Sequence, residues 1–413
     1  MAATASPADA ATMLRLDAEQ LAEATPATRD RVVDFLRVFA VGVVVVGHWL
    51  MAAVTWDSTG VHGRNVLTLA PWAQWLTWPF QVMPIVFIAG GAANAASWAS
   101  AERNRTPYGD WLQARLGRLV PPTAALVAAW ATGLAVARGL GADPDVLAGA
   151  GRLIGMPLWF LAVYVAVVAA TPLAAAAHQR WGIKVTAALV ALAGLADLVA
   201  TTRYHALAWT SFAWVWLLAH DLGLWWRDGV SRRIGRWAAA GGLAAITALT
   251  TVGGYPRSMI GLPGQRSNMT PPTLPMAGIA VMQFGILVLL RPTLDRWLRR
   301  PHVWRRVVVA NGVVMTTYLW HMTALAFGVI ALLPTGAFPQ TEPATGAWWA
   351  LRPLWLLALT ALTVPLVLLW APVEARRPRK LSLTTSTAIA LVAGLSVALT
   401  YLALEGVPVL PTR

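Results

Sequence analysis

Apolar runs of about 20 residues recur along the whole length of this 413-residue chain. Each run is long enough to cross a lipid bilayer as a helix. Hydrophobic residues make up 57% of the chain and charged residues only 12%, whereas a soluble domain usually carries about 25% charged residues. The sequence therefore predicts an all-α polytopic membrane protein, a bundle of about 10–11 transmembrane helices with no room for a large soluble domain.

Eleven candidate membrane helices follow from these runs, at 31–54, 75–99, 119–138, 153–176, 183–201, 205–226, 234–254, 273–293, 306–333, 348–371 and 382–404. Every second connection between them is rich in arginine and lysine, and the others hold few basic residues. Positive residues are enriched in the cytoplasmic loops of membrane proteins. The alternation therefore predicts a cytoplasmic N-terminus and a multi-pass protein of the cell (cytoplasmic or inner) membrane.

The chain divides into three parts by composition. Residues 1–28 are rich in alanine and threonine, carry mixed charges and lack the apolar core of a secretory signal, so we interpret them as a disordered cytoplasmic tail. Residues 29–375 form the membrane domain. Residues 376–413 hold a basic loop and an extra C-terminal transmembrane helix; the loop contains Arg376, Arg377, Arg379 and Lys380.

Several function classes are disfavoured by composition and by missing motifs. The net charge of +14 lies mainly in short connections between apolar runs, where it signals membrane topology, so we expect no nucleic-acid partner. The chain has no cysteine, which excludes a thiolate nucleophile or a cysteine-ligated metal. Neither a His-Glu-x-x-His motif nor a Walker loop occurs, so we expect no bound metal and no ATP-driven work.

Arg37 and His48 lie eleven residues apart within the first apolar run. Eleven residues are almost three helical turns, so both side chains face the same side of a helix, roughly 16 Å apart along its axis. Ionisable side chains in a membrane interior are costly and are functional by default. We interpret His48 as a general base facing a cavity; the alternative is a buried Asp34–Arg37 ion pair beside a packed histidine.

His321 lies about as deep in the ninth predicted helix as His48 lies in the first. Two imidazoles at one depth can line one pocket, although a purely structural, hydrogen-bonded histidine is an equal alternative. Arg115 and Arg118 form an Arg-x-x-Arg pair at the mouth of the third predicted helix. Two guanidinium groups one turn apart can grip a phosphate; the alternative is ordinary cytoplasmic loop charge.

These elements together resemble the acyltransferase-3 family of membrane-embedded acyltransferases, which O-acylate bacterial glycans. Arg37 and His48 match its Arg-x10-His motif, Asp34-Phe35-Leu36-Arg37 its opening, and Arg115 to Arg118 its Arg-x-x-Arg element. Segments that resemble three further blocks run from Met83 to Gly90, from Pro157 to Leu161 and from Tyr318 to His321. The resemblance extends from about residue 29 to 375 and implies a bundle of about ten membrane helices with acyl-CoA as the cytoplasmic donor.

Together, the residues and the resemblance predict an O-acyltransferase with acyl-CoA as co-substrate and no permanently bound cofactor. Arg115 and Arg118 would hold the donor phosphates, with Arg37 at the entrance to the bundle. His48 would be the base, and His321 would orient the acceptor or stabilise the oxyanion. The acceptor would be a carbohydrate, such as a cell-envelope glycan, or a glycosylated small molecule, and the expected group is acetyl.

Two other function classes compete with this hypothesis. A secondary transporter or exporter of an acylated or anionic metabolite would also place charges inside the membrane, but no persuasive internal repeat supports it. A purely structural membrane protein would tolerate loss of the His48 imidazole.

Overall fold

The computed structural model describes residues 19–20, 22–26, 28–58, 60–375 and 383–408. The described residues are 77% helical with almost no sheet. Most of the predicted N-terminal tail, residues 1–18, lies outside the described residues, and so do Arg376, Arg377, Arg379 and Lys380 of the predicted basic loop.

The helices and strands of the first half are α1 (Arg31–Met51), β1 (Ala52–Asp57), β2 (Gly60–Asn65), α2 (Val66–Leu69), α3 (Thr77–Phe80), α4 (Met83–Arg103), α5 (Tyr108–Leu116), α6 (Val120–Gly139), α7 (Pro144–Gly155), α8 (Leu158–Ala169), α9 (Thr171–Trp181) and α10 (Ile183–Val199). The second half contains α11 (Ser211–Asp228), α12 (Arg232–Thr251), α13 (Leu274–Leu298), α14 (Pro301–Gly312), α15 (Val314–Leu332), α16 (Gly346–Ala375) and α17 (Thr385–Glu405). Short 3-10 helices precede α3 and α11, at Pro71–Leu76 and His205–Thr210.

Eight stretches within the described residues are long and apolar enough to cross a bilayer, or nine if one bent pair counts as a single span. They are Arg31–Met51, Pro71–Arg103, Val120–Gly139, Pro144–Ala169, Leu274–Leu298, Val314–Leu332, Gly346–Ala375 and Thr385–Glu405. The predicted number of eleven is therefore too high by this measure. Helices exist at the fifth, sixth and seventh predicted positions, but α11 and α12 are not among the eight spans. Helix α11 carries Asp221, Arg227 and Asp228, and α12 begins with Arg232 and Arg233.

The fifth predicted span belongs to the bent pair, in which the chain direction turns by 118° between α9 and α10. Gly182 at the joint has φ +51°, a backbone conformation that glycine adopts without steric cost. A buried polar cluster holds the joint against α11: Asp221 accepts hydrogen bonds from His178 Nδ1 at 2.7 Å and from Thr186 Oγ1 at 2.6 Å. The pair therefore folds as a corner instead of a straight span.

The first predicted span is shorter than expected, because α1 ends at Met51 and the chain continues into an antiparallel hairpin of β1 and β2. In this hairpin Ala52 pairs with Asn65 and Asp57 pairs with Gly60. The hairpin is the exception to the all-α prediction. It places an ordered cap on the C-terminal end of α1.

Helix α1 packs against α4, α13, α14, α15 and α16, with Phe39 and Val46 exposed on its outer face. Asp30 caps its N-terminus, since one carboxylate oxygen accepts hydrogen bonds from the backbone N–H groups of Val32 and Val33. Val32, Leu36, Ala40 and Val45 are buried along its length. The helix that carries Arg37 and His48 is thus held on most sides by other helices, which fixes where both side chains lie.

Close packing of α4 against α11 depends on small residues. A Cβ on Gly91 would collide with the backbone carbonyl oxygen of His220, and one on Gly223 with the carbonyl oxygen of Ile88. Glycine at these positions lets two backbones approach as closely as membrane helices do at small-residue interfaces. The contact sets the spacing of the helices that flank the candidate site.

We expect Gly91→Ala to destabilise the protein by about 1–3 kcal/mol, because the added methyl group has only backbone to displace. The measurement is the thermal unfolding midpoint of the detergent-solubilised protein. Gly42→Ala on α1 is the matched control, because a Cβ added there would meet no atom of another segment within 4 Å. Equal midpoints for the two variants would contradict the packing argument.

Candidate active site

A cavity of about 770 Å³ opens at the N-terminal end of α1, within the size range of cofactor sites. Eight arginines and three aspartates line it. The arginines are Arg29, Arg31, Arg37, Arg115, Arg118, Arg227, Arg291 and Arg299. Three alanines of α4 form part of its wall, at positions 92, 93 and 96, and their small side chains leave the space open. We call this site the arginine cavity.

Most of the positive charge in the arginine cavity is not neutralised by the protein. Arg29 pairs with Asp34, and Arg291 pairs with Asp30. Within the part of the chain that the structure describes, no carboxylate lies within 4.0 Å of the other six, which are Arg31, Arg37, Arg115, Arg118, Arg227 and Arg299. An excess of unpaired guanidinium groups around one cavity makes it a site for a polyanion.

Arg115 and Arg118 lie at the break between two helices, not on one continuous helix. Arg115 belongs to the last turn of α5, and Arg118 lies in the short connection to α6. Arg115 donates a hydrogen bond to the Ala93 carbonyl oxygen at 3.2 Å. Burial lowers the pKa of the Arg115 guanidinium, and the nearby charges of Arg37 and Arg118 lower it further. An anion placed between these groups would relieve both effects.

The Asp34–Arg37 ion pair that the sequence left open does not form. The Asp34 carboxylate instead accepts two hydrogen bonds from Arg29, at 2.5 and 3.0 Å. Arg37 therefore keeps its charge available to the arginine cavity that it lines.

Asp30 joins three helices at the wall of the arginine cavity. Besides capping α1, its second carboxylate oxygen accepts from Trp226 Nε1 at 2.9 Å and from Arg291 at 3.1 Å. Arg291 also stacks over the Trp226 ring, 4.3 Å from the ring centre, an arrangement that favours the cation. This network fixes α1, α11 and α13 relative to one another where their arginines converge.

His48 and His321 are in direct contact, although 273 residues separate them in the chain. His48 Nδ1 lies 2.8 Å from His321 Nε2, and the rings stack with centroids 5.1 Å apart. His321 is completely buried, whereas His48 is only partly buried. The Trp49 indole N–H donates to the His321 carbonyl oxygen at 3.0 Å, which ties α1 to α15 beside the pair.

The hydrogen-bond partners determine which nitrogen of each neutral imidazole ring carries the proton. His321 Nδ1 lies 2.5 Å from the Tyr318 carbonyl oxygen, which can only accept, so Nδ1 carries the proton and Nε2 has the lone pair. His48 Nδ1 must then donate to that lone pair. His48 Nε2 is left unprotonated, which is the form a general base needs.

The arginine cavity and the histidine pair lie on the same helix but at different levels. On α1 the lining of the cavity ends at Arg37 and does not include His48. Val41 and Val44 lie between them on the same face, and both are only partly buried. Roughly 16 Å of apolar helix surface on α1 thus lies between the basic cavity and the imidazole.

Several charged residues of this site were not predicted from the sequence. Arg227, Arg291 and Arg299 were interpreted as loop charge, and Arg29 and Arg31 were not singled out. Their common signal is weak: all except Arg291 lie at or next to an end of a long helix, as the topological arginines of membrane proteins also do. Within the described residues, no group of three or more His, Asp or Glu side chains could hold a metal ion.

The described helices are apolar enough for a multi-pass membrane protein. Residues 30–371, most of the chain, match the acyltransferase-3 family, described as an acyltransferase domain. The chain belongs to this family, so its class is that of the membrane acyltransferases. Comparison with curated proteins found no match, and neither did comparison with solved structures.

Proposed function

We propose that this protein transfers an acyl group, with acetyl as the expected one, from acyl-CoA to a hydroxyl of a carbohydrate or glycosylated acceptor. The protein lies in the cytoplasmic membrane with its N-terminus in the cytoplasm. The arginine cavity, at the N-terminal end of α1, therefore opens toward the cytoplasmic donor. The observation that carries the proposal is the free Nε2 of His48 on the same helix as that cavity.

The donor binds through its phosphates. The 3′-phosphate and diphosphate of coenzyme A carry about four negative charges at neutral pH. Arg37, Arg115 and Arg118 supply unpaired cations at the cavity wall, and Arg227 and Arg299 extend the basic surface. The pantetheine arm then runs along Val41 and Val44 toward His48, a path of roughly 16 Å.

At the reacting centre, His48 Nε2 takes the proton from the acceptor hydroxyl as its oxygen attacks the thioester carbonyl carbon. The bond between carbon and sulfur breaks, and the imidazolium returns the proton to the leaving thiolate, which gives coenzyme A and the acyl ester. His321 does not touch the acceptor in this scheme. It holds the His48 ring in one tautomer and one orientation, which modifies the role that the sequence suggested.

Replacing Arg115 with alanine is expected to raise the KM for acetyl-CoA about tenfold and to change kcat little, because one charge-assisted hydrogen bond to the donor is lost. The same change should remove most of the thermal protection that free coenzyme A gives the wild-type protein. Both quantities are measured on the purified full-length protein in detergent.

Arg138→Ala is the matched control, because Arg138 is an exposed arginine at the far end of α6. It should leave both the KM and the protection unchanged. If coenzyme A does not protect the wild-type protein, the donor assignment is wrong and a transporter becomes the better interpretation of the same charges.

A further inference from the structure

A second, smaller recess lies beyond the C-terminal end of α1, opposite the arginine cavity. It is a narrow crevice between the hairpin, the end of α15 and the start of α16, with a volume of about 10 Å³, the space of roughly one water molecule. Ala52 and Val54 line it, and the Ala52 N–H donates to the His48 carbonyl oxygen. The crevice thus begins one helical turn, about 6 Å, from His48.

Arg352 is the charged residue that lines this recess, which we call the Arg352 crevice. The side chain is 8% exposed, and its guanidinium group lies 3.9 Å from the centre of the Trp348 ring and 5.7 Å from that of Trp355. Across the described ranges, no carboxylate lies within 4.0 Å of it, and the hydrogen bond it makes is from Nε to the Trp348 carbonyl oxygen. Its two terminal nitrogens make no hydrogen bond within the described residues and are available to a ligand.

Two neighbouring polar atoms of the crevice also lack partners. Thr341 Oγ1 and Trp355 Nε1 are both buried and make no hydrogen bond within the described part of the chain. Buried polar groups are normally satisfied, so unpartnered ones need an explanation. The three groups line the same crevice, and a cation, a hydroxyl and an indole N–H are all donors suited to the oxygens of an anion.

We propose that the Arg352 crevice binds an anionic substituent of the acyl acceptor, a carboxylate or phosphate attached to a sugar. This inference rests on the proposed acyltransferase function and makes the acceptor an acidic carbohydrate. The anion neutralises Arg352, whose burial without a counter-charge is costly. Because the crevice has so little free space, the charged group meets Arg352 at its mouth, and the sugar ring with its hydroxyl groups stays outside, on the side toward His48. Donor and acceptor thus approach His48 from opposite ends of α1.

The test is isothermal titration of the detergent-solubilised full-length protein with methyl glucuronide, glucose 1-phosphate and the neutral methyl glucoside. At least one of the two anionic sugars should bind about tenfold or more tightly than the neutral one, the effect of a hydrogen bond to a charged group. Which anion binds more tightly distinguishes a carboxylate from a phosphate. Arg352→Gln should remove the preference and Arg352→Lys should keep part of it.

Trp355→Phe serves as a second variant, because it removes the indole N–H and keeps a smaller aromatic ring beside Arg352. Coenzyme A binding reports folding in every variant and should not change, since the arginine cavity lies at the other end of α1. Equal affinity for the three sugars, no binding of either anion at millimolar concentration, or a preference that survives Arg352→Gln would overturn the proposal. Failure of the acyltransferase function would show separately, as the absence of acyl transfer from acetyl-CoA by the wild-type protein.

Discussion

Replacing His48 with alanine is expected to lower kcat for acyl transfer by about 10²–10⁴-fold, the usual contribution of a general base. His48 Nε2 is the one lone pair that the histidine pair leaves free, since Nδ1 donates to His321. The measurement is transfer of labelled acetyl from acetyl-CoA, in membranes in which the wild-type protein is active, normalised to protein level.

His205→Ala is the control for histidine loss in general, because His205 is exposed in a 3-10 helix before α11. It should retain wild-type activity. His48→Gln should be as inactive as the alanine variant, because an amide keeps polarity and hydrogen bonding but cannot take a proton at neutral pH. Activity close to wild type in either His48 variant, at normal protein levels, would reject His48 as the base.

The second large effect concerns His321, which we place as a positioning residue that acts through His48. His321→Ala removes the acceptor for His48 Nδ1–H and leaves that ring free to rotate and to change tautomer. We expect a loss in kcat of about 10²-fold, with the KM for acetyl-CoA nearly unchanged. The KM should hold because His321 does not line the arginine cavity.

His321→Gln separates positioning from simple packing. Glutamine places an amide oxygen near the site of Nε2, where it can accept from His48 Nδ1. We therefore expect this variant to regain a substantial part of the activity that alanine loses. If the glutamine and alanine variants are equally inactive, or if both shift KM more than kcat, His321 does not act by orienting His48.

The class of the protein was predictable because its signals are local. A run of about 20 apolar residues forms a helix in a bilayer whatever follows it, since no water is present to satisfy its backbone. Arg37 and His48 share one face of one helix by spacing alone. The family resemblance rested on the same short blocks, and the match over residues 30–371 confirms it.

Predictions failed where a segment depends on its neighbours. The bend at Gly182 is stabilised by Asp221 on α11, a contact that no count of apolar residues contains. The Asp34–Arg37 ion pair, which the spacing left open as an alternative, does not form, because Asp34 binds Arg29 instead.

The histidine pair, the arginine cavity and the Arg352 crevice show most clearly the difference between local signals and contacts that only the tertiary structure creates. Equal depth in the membrane suggested that His48 and His321 belong together, but only the packing of α1 against α15 brings their nitrogens to 2.8 Å. Arg227, Arg299 and Arg352 resemble any other basic residues near helix ends when read along the chain. Whether such a charge is neutralised or left free depends on which helices meet around it, because ion pairs and cavities form between segments that are distant in sequence. A helix, in contrast, is held by hydrogen bonds between residues four apart, so it can be predicted from the local sequence.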